Sequence, residues 1–257
     1  MSAEIGDALI RRDRESDGIA ILTLSRPQKR NAINVAMRRQ LREEIDRIVG
    51  DGRTRVLLLA ADGPVFSAGT DLREAATIAI AERSEAWQSL WTSLDRLTIP
   101  VIAAVDGPAL GAGFELALAC DLIVASRRAS FALPEVRHGF VPGGGGSQRL
   151  VRQIGKYRAM HVILSAETLS AEDVSALGLI TCLVEMGRSR DAALELARKI
   201  AAMPSQAVCE AKALLKAGPD LPLPQALALE QSALERLDGG RDQRERLAVF
   251  SQEETAD

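Results

Sequence analysis

Two carboxylates, Glu115 and Glu135, stand in stretches that are otherwise almost wholly apolar or glycine. Glu115 comes just after Gly111-Ala112-Gly113 and before Leu116-Ala117-Leu118-Ala119-Cys120. Small residues followed by a helix-forming run predict a helix that begins near Ala112. The first four N–H groups of such a helix lack partners within it and carry partial positive charge. They can hold an anion or a developing oxyanion. An ionisable side chain on so apolar a helix is costly to bury unless it is paired or used. Glu135 repeats the pattern: it follows Phe131-Ala132-Leu133-Pro134, and the Gly143–Gly146 run opens a second helix at Ser147-Gln148-Arg149. Two glutamates beside two glycine-opened helices are either paired structural charges or an acid–base couple.

The elements that must position them read as a mostly parallel α/β arrangement. Ala8–Arg12 and Ile19–Leu24 are β-rich runs around a Ser16-Asp17-Gly18 turn, which predicts a hairpin. Asn34 offers an N-cap to a helix with Met37, Leu41, Ile45, Ile48 and Val49 at helical spacing, ended by Gly50-Asp51-Gly52. Val56–Leu59 and Val101–Val105 are continuous apolar runs, as in strands covered on both faces. Between them, Leu72–Arg83 is irregular and reads as a mobile loop, and Trp87, Leu90, Trp91, Leu94 and Leu97 share one helix face. Core packing is the plainer role for the two tryptophans, contact with a ligand the other. Strand and helix alternate through Asp121–Ala125, the βαβ rhythm of a parallel sheet. Leu150–Leu164 is one or two helices, Ser170-Ala171-Glu172-Asp173 starts another, and Ile180–Val184 is a last strand. Arg190–Met203, Ser205–Lys216 and Gln225–Leu237 are helical patterns split by Pro204 and by Gly218-Pro219, with Gly239-Gly240 closing the third. The chain divides into an α/β core carrying the active site, residues 1–190, and a helical C-terminal region, residues 191–257.

Composition narrows the class. The chain has 257 residues, 47% hydrophobic and 26% charged, as an ordinary globular domain does, with a core of Ala, Leu, Ile and Val because aromatics are only 3%. A net charge of −3 and a pI near 5.6 argue against a general nucleic-acid surface. The basic pairs Arg11-Arg12 and Arg38-Arg39 read as solvated faces. Cys120, Cys182 and Cys209 have no paired spacing and an odd count, which points to a reducing compartment, the cytoplasm. The N-terminus has no apolar leader pattern, and no apolar run reaches the about 18 residues of a membrane span. With His138 and His161 the only histidines, a His/Cys metal site is not expected.

LSRPQKRNAIN (Leu24–Asn34), FSAGTDL (Phe66–Leu72), the stretch Pro100–Ser126, FALPEVRHGFVPGGGGSQRL (Phe131–Leu150) and AEDVSALGLITCLV (Ala171–Val184) resemble the enoyl-CoA hydratase/isomerase (crotonase) superfamily. The motifs stand in that family's order and cover nearly the whole chain. The resemblance implies a crotonase-like spiral of ββα units, a homotrimer or homohexamer with C-terminal helices between subunits, and a coenzyme A thioester as substrate with no other cofactor and no metal. It implies an oxyanion hole from the backbone N–H groups of Thr70 and Ala112, where many members have Ala and Gly. It carries the two hydratase glutamates onto Glu115 and Glu135; isomerases of the family commonly keep only one, usually the second. Retention of both favours addition of water to a 2-enoyl-CoA, with Glu115 activating water and Glu135 exchanging a proton with C2. Lys29, Arg30, Ala32, Ala68, Asp71, Leu72 and Arg73 fall in stretches that contact the CoA ester in relatives. Gly143 matches a glycine near the reacting carbons, or serves only a tight turn. His138 either lines the acyl pocket or packs at its edge. The tail departs from the family: Phe250 is followed by Ser251-Gln252-Glu253-Glu254, so a basic CoA contact there is not supported.

Other classes fit less well. Gly111-x-Gly113 and Gly143-x-Gly145 lack the third glycine of a dinucleotide fingerprint. The glycine run lacks the Lys-Ser/Thr of a P-loop, and no G-x-S-x-G elbow exists. Within the superfamily, isomerase and carnitinyl-CoA dehydratase chemistry remain alternatives. The RNA-binding branch uses a lysine-rich helix, whereas the helix after Asn34 mixes Arg38, Arg39 and Arg42 with Glu43, Glu44 and Asp46. Neither a nucleic acid nor a membrane is an expected partner.

Overall fold

The computed structural model describes residues 8–15 and 17–253. β1 (Ile10–Arg14) and β2 (Ile19–Leu24) pair antiparallel, with Arg12 opposite Leu22. This is the expected hairpin, with its first strand two residues later; Ser16 of its turn lies outside the described residues, as does the N-terminal segment read for a leader. α1 (Val35–Asp51) starts at Asn34, whose side chain accepts the Met37 N–H at 2.9 Å, and ends at Gly52 with φ +60°. Met37, Leu41, Ile45 and Ile48 face the core, but Val49 is 60% exposed, since one residue further turns the side chain about 100° round the helix. Arg38 is fully buried rather than solvated, its guanidinium 3.8 Å from the centroid of the Trp87 ring.

β3 (Val56–Ala61) follows. The segment expected to be an irregular loop instead holds α2 (Leu72–Ala75) and the start of α3 (Ile80–Asp95). The reason is Asp71, whose carboxylate accepts the N–H groups of Arg73 and Glu74 and so caps α2. On α3, Leu90, Trp91 and Leu94 are buried and Trp87 is half-buried; Leu97 is buried just past the helix end. Next come β4 (Val101–Val105), β5 (Ala109–Leu110), α4 (Ala112–Ala119), β6 (Leu122–Ser126), β7 (Ser130–Ala132) and α5 (Gly146–Ile154). The helical stretch after it is two helices, because Gly155 at φ +79° separates α5 from α6 (Lys156–Ser165). β8 (Leu169–Ser170) leads into α7 (Ala171–Ala176) through a capping box made by Ser170 and Asp173. β9 (Cys182–Val184), α8 (Ser189–Ala201), α9 (Ser205–Ala217), α10 (Leu223–Leu237) and α11 (Arg241–Glu253) complete the chain, α11 being a helix that the periodicity did not single out.

Six strands form one sheet in the order β1-β2-β3-β4-β6-β9, parallel apart from β1. β5, β7 and β8 form a second, small sheet, which the bridges Ser67–Ala109 and Ile33–Thr70 extend. Each turn of the chain therefore runs through a main strand, a short piece of the second ladder and then a helix. The turns are β2, Ile33 and α1; β3, Ser67–Thr70 and α2; β4, β5 and α4; and β6, β7 and a 3-10 turn at Glu135–His138. This is the α/β spiral of ββα units, followed by a helical C-terminal region. It stacks the short pieces side by side, so the helix starts that follow them open onto one place. One face of the main sheet buries α1, α3 and α4; on the other, Ala193, Ala197 and Ala201 of α8 pack on Ile21, Leu58, Ile102 and Val124. Further along, Lys212 of α9 reaches Asp121 at 2.6 Å and the Ile99 carbonyl at 2.7 Å, tying α9 to the starts of β6 and β4. No helix among the described residues is long and apolar enough to cross a membrane.

Asn31 joins the first two turns of the spiral. It is fully buried in the left-handed region at φ +50°, which Asn tolerates better than most residues. Its Oδ1 accepts the Arg26 N–H at 2.8 Å, and its Nδ2 donates to the carbonyls of Asp62 and Val65, both at 2.8 Å. Asn31→Ala leaves three backbone groups without those partners, and a loss of about 3 kcal/mol in urea denaturation is expected. A loss under about 1 kcal/mol would show that water replaces the side chain.

Candidate active site

Helix and turn starts from three turns of the spiral meet at one cavity of about 370 Å³. Two glycines let the backbone close up there. Gly69 has φ +90°, and a Cβ on it would lie 2.7 Å from the Leu110 carbonyl oxygen. Gly111, at φ +51°, precedes α4, and a Cβ there would lie 2.9 Å from Oε1 of Glu135. The bridge between Ile33 and Thr70 uses the Gly69 carbonyl and the Asp71 N–H, so the N–H of Thr70 points away from Ile33. Ala112 begins α4 and has no preceding helical turn to donate to. Among the described residues, no acceptor takes the N–H of Thr70 or of Ala112, whereas the adjoining Gly69, Asp71 and Gly111 donate to Ser67, Ile33 and Ala132. Both free donors belong to residues of the cavity wall.

The two carboxyl groups share this cavity but not their surroundings. Glu115, on α4, is 2% exposed, and its Oε1 accepts the N–H groups of Gly144 at 2.7 Å and Gly146 at 2.9 Å. Burial pushes its carboxyl above the usual range, and those two bonds together with the Arg149 charge pull it back. Glu135 opens the 3-10 turn after β7. Its Oε2 is buried with no hydrogen-bond partner among the described residues. Burial raises it to about 7, opposed by its own backbone N–H and assisted by the charge of Glu115. One carboxyl is thus held by donors and the other is left to keep its proton. With two N–H groups free beside them, the arrangement suits acid–base chemistry next to a carbonyl that takes up negative charge.

Of the residues singled out in the sequence, Ala68, Thr70, Leu72, Ala112, Glu115, Glu135 and Gly143 all line the cavity. Gly143 has no positive φ, and a Cβ there meets nothing within 4 Å, so a tight turn does not require glycine at this point. His138 also lines the cavity. Lys29, Arg30, Ala32, Asp71 and Arg73 are not in its lining. The Arg30 carbonyl accepts the Ala68 N–H, which sets that stretch directly behind the wall. Asp71 is engaged with Arg26 at 2.7 Å and with the start of α2, which lower its carboxyl against burial. The tail signal lies outside the description, since nothing is described of the side chains from Phe250 to Glu254.

Some wall residues escaped the sequence reading. Phe140 and Val141 carry no periodic signal, but two exposed apolar residues next to a glycine run are unusual enough to mark a pocket. Trp87, for which the sequence left ligand contact as the second role, lines the cavity and stacks on Trp91, with ring centroids 5.0 Å apart and planes 8° apart. The glycines that donate to Glu115 lie 29 and 31 residues further along the chain, past Glu135, a pairing that only the folded backbone reveals. Among the described residues, no group of three His, Cys, Asp or Glu is placed to hold a metal ion.

A family described as enoyl-CoA hydratase/isomerase matches residues 14–256. The chain is 37% identical over 240 residues to the 2,3-dehydroadipyl-CoA hydratase of Escherichia coli K12, covering 93% of this chain and 94% of that protein. It is 34% identical over 248 residues to the mitochondrial methylglutaconyl-CoA hydratase of Mus musculus, covering 93% and 79%. The crystal structure of an enoyl-CoA hydratase from Bacillus anthracis matches with a TM-score of 0.90 at 33% identity, over 95% of this chain and 96% of that one.

Glu135 holds its proton more tightly in the folded than in the unfolded chain. Its contribution to stability is therefore full below the ordinary carboxyl range and is lost as pH rises through about 7. Glu115 shifts in the same direction. Between about pH 5 and about pH 8, the wild type should lose more unfolding free energy than Glu135→Gln, which has no proton to release. Equal losses in urea titrations would mean that Glu135 is not buried in its protonated form.

Proposed function

The chain belongs to the enoyl-CoA hydratase/isomerase family, and from that premise we propose that it is an enoyl-CoA hydratase. In this reading it adds water reversibly across the C2–C3 double bond of a 2-enoyl-CoA thioester. The observation that supports it most is the unlike pair of carboxyls on one cavity: Glu115 held by two glycine N–H groups, Glu135 with its Oε2 buried and unpartnered. Glu115, as carboxylate, takes a proton from water while the hydroxyl oxygen bonds to C3. Glu135, as carboxylic acid, delivers its proton to C2. Negative charge passing onto the thioester oxygen between these events is met by the N–H groups of Thr70 and Ala112. The pair resets when Glu115 gives up the proton it gained and Glu135 recovers the one it lost. We assign the CoA end of the ester to Lys29, Arg30, Ala32 and Arg73, with Ala68 and Leu72 along the path to the cavity. Asp71 acts on that path by capping α2 and holding Arg26. Coenzyme A enters as part of the substrate, and all proton transfer and charge stabilisation come from protein groups. The cytoplasm is the compartment this reading assigns, on the three free cysteines.

The kinetic test separates addition of water, which needs two positioned groups, from movement of a double bond, which one group can shuttle. General acid–base catalysis is worth about 10²–10⁴-fold per group. Glu115→Gln and Glu135→Gln should each slow hydration of a 2-enoyl-CoA at least ~100-fold, with ester binding within a few-fold. The double variant should fall well short of the product of the two losses. The assay is run with a chelator and no nicotinamide, conditions in which the wild type should keep its rate. If Glu115→Gln hydrates normally while Glu135→Gln is dead, the two-carboxylate hydratase reading fails, and retained 3-enoyl to 2-enoyl conversion in that Glu115 variant would then point to an isomerase.

The assembly we propose is a homotrimer or a pair of trimers. On α10, Ala233 is buried, while Leu227 and Leu234 are 52% and 59% exposed in the single chain, an apolar face suited to a neighbouring subunit. Sedimentation at micromolar concentration should give three or six times the 27.6 kDa chain mass. A monomeric mass would overturn this part of the reading.

A further inference from the structure

The hydrogen bonds of Glu115 come from a loop that has no side chains of its own to hold it. Gly144, Gly145 and Gly146 form it, with Gly145 at φ +92°. Arg149, one turn into α5, grips it from behind. Its Nη1 donates to the Gly144 carbonyl at 2.8 Å, and its Nη2 donates to the two Asp95 carboxylate oxygens at 3.0 and 3.2 Å. A Cβ on Gly145 would lie 2.1 Å from Nη1, so the guanidinium is packed directly on the loop. The other side of the same peptide is closed by Trp91: a Cβ on Gly144 would lie 2.3 Å from its Cζ2 and 2.7 Å from Glu115 Oε2. The guanidinium also sits 5.8 Å from the Trp91 ring centroid. Asp95 is seated in turn by Lys216 of α9, whose Nζ donates to its carbonyl at 2.7 Å and lies 3.5 Å from its carboxylate.

We infer that Arg149 is a positioning residue for Glu115. From its seat on Asp95 and Trp91 it fixes the Gly144 carbonyl, and so keeps the N–H groups of Gly144 and Gly146 on Glu115 Oε1. The gripped peptide joins Gly144 to Gly145 and lies between the two peptides whose N–H groups, those of Gly144 and Gly146, reach Glu115, so a rotation of it disturbs both contacts together. The charged groups facing Glu115 are Arg149 and Glu135; those facing Arg149 are Asp95 and, behind it, Lys216. Loss of the grip therefore removes donors from Glu115 and leaves its burial unchanged, which favours the protonated form. The consequence for turnover rests on the hydratase reading; the consequence for the carboxyl does not.

The experiment is a titration of Glu115 by carbon-13 NMR of labelled glutamate carboxyls, without substrate, with Glu115→Gln to identify the signal. Arg149→Met removes both grip and charge. Arg149→Lys keeps the charge but has one nitrogen where two partners must be met. Arg149→Met should raise the Glu115 midpoint by about one pH unit, and Arg149→Lys by less. In hydration assays kcat should fall about 10- to 100-fold, with KM within a few-fold and the acid limb of kcat moving up with the carboxyl. An arginine with a merely structural role would lower the melting temperature and leave the midpoint and the acid limb where they are. An unmoved midpoint in folded Arg149→Met overturns the inference, and if that variant does not fold, an unmoved midpoint in Arg149→Lys does so. A moved midpoint in a protein whose wild type hydrates no 2-enoyl-CoA keeps the inference and removes the hydratase reading.

Discussion

Taking a carboxylate out of water costs several kcal/mol unless other donors replace the solvent. Glu115 is almost fully buried, and two backbone N–H groups at 2.7 and 2.9 Å do that replacing. Much of the surrounding architecture follows from this need. A side-chain donor would bring bulk into the cavity, and a backbone donor does not, so the loop facing Glu115 is glycine at each of Gly144, Gly145 and Gly146. Glycine leaves the loop without packing of its own, so Arg149, Trp91 and Asp95 close around it from α5 and α3. The seat of Asp95 then depends on α9, which is why a C-terminal helix matters to a site built in the spiral.

Glu135 meets the same desolvation without the same relief, and keeps its proton to about pH 7. The contrast arises from position in the spiral rather than from residue type. Glu115 is one turn into α4, facing the glycine loop, whereas Glu135 is the first residue of a 3-10 turn that follows a short strand. The small second sheet brings these starts together. Its pieces are only two or three residues long in β5 and β7, so a helix or turn start follows each of these pieces almost at once. Burial on the other face is met more simply. Three alanines of α8 allow the helix to lie close on the sheet.

What could be read in the sequence was whatever depends on neighbours along the chain. Asn34 as a cap, the α4 start at Ala112, the capping box at Ser170 and both glutamates were legible, because cap chemistry and a charge inside an apolar run are local signals. The fold and the cavity wall at Thr70, Ala112 and Gly143 came through the resemblance of linked motifs. Features decided across the fold were not legible. Arg38 looks like half of a solvated pair until Trp87 lies over it. The Leu72–Arg83 stretch looks irregular because its one strong signal, the cap at Asp71, stands just before it. Val49 shares the spacing of its neighbours closely enough to pass for a core residue, yet falls on the open side of α1. The partnership of Glu115 with the distant glycines, and of Arg149 with both, has no counterpart in the order of residues.

The stacked indoles have a further consequence. The chain contains two tryptophans in all, and both are in this pair, bracketed by the guanidinium groups of Arg38 and Arg149. Trp87 faces the cavity and Trp91 touches the loop that serves Glu115. Tryptophan emission and its near-ultraviolet dichroism therefore originate at the candidate cavity and nowhere else. The protein carries an optical reporter of its own pocket, in which occupancy by an acyl group and displacement of the glycine loop both register without any attached dye.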